Sequence, residues 1–282
     1  GARYTEDEKS VTLLEEDPGL DRDYKAKDDW SETTGAATLM YYINDDINVY
    51  AKVSQGYAAG IYNPSTIGRG AGPADPTFAL IPADPEETTA YELGIKSQLA
   101  GGRVQLNAAL FYNDNTNLQS TDFVDGVRQT INSGESNTTG AEVDLIWLPG
   151  ESWTVNASYG YADTDYDEPG KFSTPLHTGN AGVQYDLVAD YGLWTARFDA
   201  TYMGETRFSI SDPRVKSESR TLLNARLGLS EVSALGGDLR FALWGKNLAD
   251  EEYIEHGANY GSYTGYTWGQ PRSYGLDVTY EF

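Results

Sequence analysis

The last ten residues, Ser273-Tyr274-Gly275-Leu276-Asp277-Val278-Thr279-Tyr280-Glu281-Phe282, alternate between polar or small and apolar side chains without a break. Successive side chains of a strand point to opposite faces, so this segment has one apolar face and one polar face. The same period of two recurs upstream. Leu239/Phe241/Leu243, Leu223/Ala225/Leu227/Leu229 and Trp194/Ala196/Phe198/Ala200/Tyr202 each alternate with polar or small residues. Upstream come Ala181/Val183/Tyr185/Leu187, Trp153/Val155/Ala157/Tyr159/Tyr161, Val143/Leu145/Trp147 and Val104/Leu106/Ala108/Leu110/Tyr112. Further upstream come Tyr91/Leu93/Ile95, Ile47/Val49/Ala51/Val53 and Ala37/Leu39/Tyr41/Ile43. With a strand near Arg3 and Tyr4, the template counts about twelve strands, and no helix of 3.6-residue period competes.

The connections alternate as regularly as the side chains. Short ones fall at Asn44-Asp45, Ala100-Gly101-Gly102, Pro149-Gly150-Glu151, Ala189–Gly192 and Val232–Gly237. Long ones run roughly over 10–31, 57–86, 114–138, 162–176, 205–219 and 250–271. A soluble sandwich has no reason to gather every long loop at one end, whereas an outer-membrane barrel has short turns on one side and long loops on the other. Aromatic residues sit near the ends of the apolar faces: Trp153 and Tyr161, Trp194 and Tyr202, Tyr274 with Tyr280 and Phe282. That is the layout of aromatic girdles at two membrane interfaces. The opposite face, with Asp144, Arg197, Asp199, Asn224, Arg226, Asp238, Arg240 and Asp277, would line a hydrated or plugged lumen.

Composition agrees with this reading by exclusion. The 282 residues hold no cysteine, which removes disulfide scaffolds, thiolate metal sites and cysteine nucleophiles. With 39% hydrophobic and 12% aromatic residues the chain is no disordered tract. Forty-three acidic against 20 basic residues, a net charge of -23, make nucleic acid a poor partner. No stretch approaches the roughly 18–20 unbroken apolar residues of a helical span. The mean hydropathy of -0.51 averages an apolar lipid face with a polar lumen face and acidic loops such as Glu15-Glu16-Asp17. The opening Gly1-Ala2-Arg3-Tyr4 has no initiator Met, basic start or apolar run, so a signal peptide is not legible there.

Three stretches resemble the C-terminal portion of the TonB-dependent outer-membrane receptors. Pro85-Glu86-Glu87-Thr88-Thr89-Ala90-Tyr91-Glu92-Leu93-Gly94-Ile95-Lys96 is similar to a strand entry of that family, and Thr139-Gly140-Ala141-Glu142-Val143-Asp144-Leu145 to a later strand. The run Trp244-Gly245-Lys246-Asn247-Leu248-Ala249-Asp250-Glu251-Glu252-Tyr253, followed by Pro271-Arg272-Ser273-Tyr274, resembles the family's closing motif. Gly1-Ala2-Arg3-Tyr4-Thr5-Glu6 resembles a strand in the middle of the barrel.

The resemblance implies an all-β fold: residues 1–282 as the C-terminal portion of an antiparallel transmembrane β-barrel of about 22 strands, with the plug domain, the TonB box and about ten strands lying outside the sequence. An open sheet would leave unpaired edges in hydrocarbon, so the chain is either part of a larger barrel, the favoured reading, or a smaller closed barrel of about twelve strands. It further implies a receptor in the bacterial outer membrane that imports a nutrient complex, a ferric siderophore before cobalamin, haem or a saccharide. The implied partners are outer-membrane lipid, TonB through the N-terminal region outside this sequence, the barrel-assembly machinery and the extracellular ligand. A porin-like passive channel and a soluble saccharide-binding β-protein are the alternative readings.

Candidate ligand contacts lie in two loops. The first holds Tyr57, Tyr62, Arg69 and Phe78, and the last holds His256, Tyr260, Tyr263, Tyr266 and Trp268 among glycines. Aromatic rings offer stacking surfaces and Arg answers anionic groups, though packing of loop on loop accounts for the same residues. By the resemblance, Tyr280 and terminal Phe282 form the signal read by the barrel-assembly machinery. Other motifs fail on chemistry. Asp163-Thr164-Asp165-Tyr166-Asp167-Glu168 begins like a calcium loop but has Glu168 where glycine is required, and reads as a solvated acidic loop. Gly68-Arg69-Gly70-Ala71-Gly72 lacks the strand-to-helix context of a phosphate cradle. His177 and His256 have no partners at ligand spacing, so neither a metal nor a cofactor is expected. No nucleophile–base constellation stands out, and the chain does not read as an enzyme.

Overall fold

The computed structural model describes residues 1–17, 20–62, 81–124, 127–167, 174–208, 214–234, 236–259 and 263–282. The strands in chain order are β1 (Ala2–Asp17), β2 (Leu20–Asn44), β3 (Ile47–Ala58), β4 (Glu86–Leu99), β5 (Val104–Thr116), β6 (Gln119–Val124), β7 (Val127–Asn132), β8 (Ser136–Gly150) and β9 (Trp153–Tyr166). They continue with β10 (His177–Ala189), β11 (Gly192–Met203), β12 (Thr206–Arg207), β13 (Lys216–Ser217), β14 (Arg220–Ala234), β15 (Gly237–Lys246), β16 (Ile254–Asn259), β17 (Thr264–Trp268) and β18 (Ser273–Glu281). Twelve of them form one antiparallel sheet in the order β1-β2-β3-β4-β5-β8-β9-β10-β11-β14-β15-β18, and the other six make three two-stranded hairpins within loops. Each of the eleven apolar alternations, and the strand expected near Arg3 and Tyr4, lies on its own strand of this sheet. β1 and β18 are its two edges and do not pair with each other, so the closed twelve-stranded alternative is not what forms.

The register sets the faces. Leu106, Leu145, Ala157, Ala181, Ala200 and Leu223 stand directly opposite one another across six successive strands, a continuous apolar row. The row one step nearer the short turns runs through Trp147, Val155, Val183, Phe198 and Ala225. The apolar face is left unburied from one edge of the sheet to the other: Leu39 is 76% exposed, Trp147 44% and Leu276 66%. Buried hydrophobic residues number only Tyr62, Ala83, Val215 and Ala242 among the described residues, and three of those four lie outside the sheet. A water-soluble sandwich would bury this face against a second sheet; here the apolar surface is left for a non-aqueous solvent.

Aromatic residues border the band at both ends. Near the short turns, Trp153 packs on Tyr185 (centroids 4.7 Å), Tyr280 on Phe282 (6.1 Å), and the Trp194 indole donates to the Tyr191 hydroxyl (3.3 Å). Near the long loops, Tyr91 meets Tyr112 (6.4 Å), and His177 lies against Tyr159 (6.0 Å) and Tyr161 (5.3 Å). The eight residue-to-residue steps from Trp153 to Tyr161 span about 26 Å along the strand. At a typical barrel tilt that is about 20 Å of height, close to the apolar band of an outer-membrane barrel.

The inner face is polar and internally paired. Arg197 and Arg226 stand directly opposite, an unfavourable like-charge pair unless neutralised. Each has its own carboxylate, Asp199 for Arg197 (2.5 Å) and Asp277 for Arg226 (3.3 Å). Large inner aromatics lie over cross-strand glycines: Tyr50 over Gly94, Phe111 over Gly140, Trp244 over Gly275, each pair directly in register. A Cβ at any of these glycines would overlap the ring, so glycine there is required by close approach.

Two sequence expectations need correction. Residues 10–31 are not a long loop: β1 and β2 stay paired up to Asp17 opposite Leu20, projecting as a hairpin beyond the apolar band. Asp163–Tyr166 is likewise the end of β9 rather than a loop. Above the membrane neither face of a strand meets lipid, so strands there lack the apolar alternation that reveals them within the band.

Candidate functional site

All long connections lie at one end of the sheet, and their described side chains gather into two packed groups. In the first, Tyr62 is buried against Trp30 (centroids 6.4 Å, edge-on), and its hydroxyl donates to Asp28 on β2 (2.6 Å). Lys9 on β1 donates to the carbonyl of Gly60 (2.7 Å) and lies over the Trp30 ring. Ile61 and Ala83 form a backbone bridge that brings the two limbs of this loop together. The returning limb is tied to the β6–β7 hairpin by a reciprocal pair: Asp84 N–H donates to Asn132 Oδ1 (2.7 Å), and Asn132 Nδ2 donates to the Asp84 carbonyl (3.0 Å). Gln119 adds bonds from Nε2 to the carbonyls of Ala59 (3.2 Å) and Asp84 (2.8 Å). Burial, then the bond to Asp28, pushes the Tyr62 phenol up to about 12.

The second group packs the β12–β13 loop onto the β16–β17 hairpin. Val215, fully buried, and Phe208 lie beside Gly257, where an added Cβ would crowd both, and Phe208 meets the His256 ring (5.7 Å). Lys216 bridges Glu205 (2.6 Å) and Glu218 (3.0 Å). The hydrogen bond from Lys216 leads the causes that hold the Glu205 carboxyl below its ordinary value. The closing motif forms the base of this group. Asn247, buried and with φ of 50°, accepts from Glu251 N–H (2.9 Å), donates to the carbonyls of Glu251 (2.9 Å) and Gln270 (3.1 Å), and takes Asn224 Oδ1 on its own N–H (3.0 Å). Arg272 pairs with Asp250 (3.1 Å), and the Tyr253 ring lies on Gly269. The residues that carry the family resemblance here clamp the two ends of the last loop.

The expected ligand contacts divide between the groups. Tyr57 ends β3 opposite Glu87, with its hydroxyl buried and unpartnered among the described residues. Tyr62 is turned into packing. Arg69, Phe78 and Tyr260 lie outside the described residues. In the last loop Tyr266 stands opposite Gly257 and Trp268 opposite Ile254. Tyr263 and Trp268 are 64% and 63% exposed. Tyr280 and Phe282 sit at the far, short-turn end, with Phe282 fully exposed. Among the described residues, no hydrogen bond, ion pair or ring contact joins the two loop groups, and no three His, Asp or Glu side chains gather as a metal-ligand set. Sequence reading missed Arg220, which stands on the inner face at the mouth, its guanidinium 4.6 Å above the Tyr253 ring. An arginine ending an alternating strand carries no signal of its own; only the folded loop places the ring beneath it.

An antiparallel sheet with an outward apolar band between two aromatic girdles, a polar inner face and every long loop at one end is the wall of an outer-membrane β-barrel. The chain belongs to the family described as TonB dependent receptor-like, beta-barrel, which it matches over residues 1–248. It is 25% identical over 297 aligned residues to the pesticin receptor of Yersinia enterocolitica, covering 100% of this chain and 41% of that protein. It is 25% identical to the ferric-pyoverdine BN7/BN8 receptor of Pseudomonas putida, covering 87% of this chain and 28% of that one. The chain therefore spans about two fifths or less of the length of these relatives. In fold it is similar to the ferric yersiniabactin uptake receptor FyuA from Yersinia pestis, with a TM-score of 0.79 at 21% identity over 98% of this chain and 42% of that one. BauA, the ferric preacinetobactin receptor from Acinetobacter baumannii, gives 0.69 at 18% identity, covering 100% and 40%.

Proposed function

We propose that this chain is the C-terminal part of the barrel of an outer-membrane receptor that captures a ferric siderophore and imports it with energy relayed through TonB. The observation that carries the reading is the loop end itself: two packed, aromatic-rich groups held above a polar inner wall. Such a mouth offers a preorganised surface to a large, rigid, partly aromatic ligand. The names of the relatives, receptors for ferric pyoverdine, yersiniabactin and preacinetobactin, support the same ligand class. In this reading Tyr263, Tyr266 and Trp268 supply stacking surface, with His256 behind them. Tyr57, Arg69, Phe78 and Tyr260 are the further candidate contacts, and Tyr62 fixes the first loop group. TonB acts through the N-terminal region outside this sequence, and Tyr280 with Phe282 present the end of β18 to the barrel-assembly machinery.

The test is uptake of radiolabelled iron by cells whose only receptor is the full-length protein, with TonB present and absent. Siderophore-dependent uptake that vanishes without TonB is the expected result. Uptake that survives loss of TonB would establish a passive channel instead.

A further inference from the structure

We propose that Arg220 is an anion-binding residue of the mouth, receiving the anionic oxygen groups of the ligand; the assignment of the ligand as a ferric complex rests on the function proposed above. Three observations lead to it. First, Arg220 and Met203 are register partners at the loop end of β14 and β11, and Arg220 shares the strand face of Asn224 and Arg226, so it lies on the inner wall where the mouth meets the lumen. Second, Arg220 has no carboxylate. Arg197, Arg207, Arg226, Arg240 and Arg272 each hold one, at 2.5, 3.4, 3.3, 2.7 and 3.1 Å. Arg220 instead donates to Ser217 Oγ (3.0 Å) and to Met203 Sδ (3.1 Å), both neutral, and no carboxylate stands at ion-pair distance among the described residues. In a chain of net charge -23, a half-buried guanidinium without a counter-ion is a cation kept free for an outside anion.

Third, the group is held in place. Its Cζ lies over the Tyr253 ring, 4.6 Å from the centroid, Tyr253 is wedged on Gly269, and Asn247 closes the base of the same loop. A guanidinium has five N–H donors in a fixed fork. The two bonds it makes leave donors for a planar, oxygen-rich group, and the ring beneath fixes the direction from which that group approaches. Carboxylate and catecholate oxygens both have this chemistry.

The full-length receptor tests the site with two probes. Crystals soaked in selenate should show an anomalous selenium peak within hydrogen-bond distance of the Arg220 guanidinium, and none there in Arg220→Gln. Absence of the peak from the native protein overturns the site. Titrations then compare a trianionic ferric tris-catecholate with a charge-neutral ferric trihydroxamate. Arg220→Gln should weaken the anionic complex at least about tenfold, Arg220→Lys by less, since it keeps the charge and loses the fork, and neither should change the neutral complex. Heat-modifiable migration on a gel confirms that both variants fold. If ferric complexes bind the native protein and Arg220→Gln equally, the site falls and the function stands. If selenate occupies Arg220 while no ferric complex binds the native protein, the function falls and the site stands.

Discussion

The apolar band and the loop end of this sheet are stabilised in opposite ways. In the band, apolar side chains point outward unburied, and order comes from register, from aromatics laid over glycines and from paired charges on the inner wall. At the loop end the packing is that of a water-soluble protein in miniature: Tyr62 with Ala83 in one group, Val215 in the other. One chain thus meets two solvents within a few tens of ångströms. A substitution should be judged by which solvent its side chain faces.

The sharpest way to break this contrast is a charge in the band. Leu227 stands in the row Trp153, Tyr185, Ala196, Leu227, Leu243, Leu276, facing outward and 45% exposed. For a soluble protein, arginine there would be nearly neutral. In the membrane, Leu227→Arg should destabilise by about 2–4 kcal/mol. Equilibrium unfolding of the full-length receptor in vesicles measures it, and a change below about 0.5 kcal/mol would refute the lipid-facing assignment.

The next largest effect belongs to the inner wall. Gly140→Leu would drive a side chain into the Phe111 ring and should cost about 1–3 kcal/mol by overpacking. Adding Phe111→Ala should recover a good part of that loss, leaving the crowding of the new side chain against the Tyr161 backbone carbonyl (2.5 Å from an added Cβ) as the remainder. An additive double mutant would show that the ring and the glycine are not coupled.

The pattern of legibility follows the same division. In the band, lipid on one side and water on the other impose a strict period of two, so Leu106 to Tyr112 or Trp194 to Tyr202 declare a strand and its faces without any partner. The extensions of β1, β2 and β9 are hidden because neither face of Glu6 to Thr12 or Asp163 to Tyr166 meets lipid, and the covered face packs through polar groups such as Lys9 and Asp28, so no apolar alternation marks them. The three small hairpins were hidden for a related reason, since strands of two to six residues hold too few alternations to stand out. The closing motif was legible as a family mark but not as a mechanism. Only the fold shows that Asn247 and Arg272 hold the base of the last loop. In the loops residue type alone does not separate Tyr62, a packing residue, from exposed Tyr263, and Arg220 carries no mark in the sequence that sets it apart from the other arginines of the strands.

Truncating the second loop group should produce a local effect. Val215→Ala removes about two carbon atoms' worth of buried apolar surface, roughly 1.5 kcal/mol. Hydrogen exchange should quicken in the β12–β13 loop and the β16–β17 hairpin, while the strands of the band keep their protection. Faster exchange throughout the sheet would mean that the loop group and the band form one cooperative unit.

The smallest effect separates the two loop groups by pH. The Tyr62 phenol is raised from an ordinary 10.0 to about 12, because burial and the bond to Asp28 disfavour the phenolate. A group whose folded value is raised contributes stability that is complete below pH 10 and is lost as pH climbs through 12. The hydrogen bond itself is worth about 1 kcal/mol, so Tyr62→Phe should loosen the first loop group by that amount at neutral pH. Glu205 in the second group is shifted the other way, held low by Lys216, so its contribution is present above pH 4.5 and fades as pH falls through the lowered value. Protease sensitivity measured at both extremes should therefore rise at alkaline pH in the 59–86 loop and at acid pH in the 204–219 loop. Alkaline loosening that persists unchanged in Tyr62→Phe would remove Tyr62 as its cause.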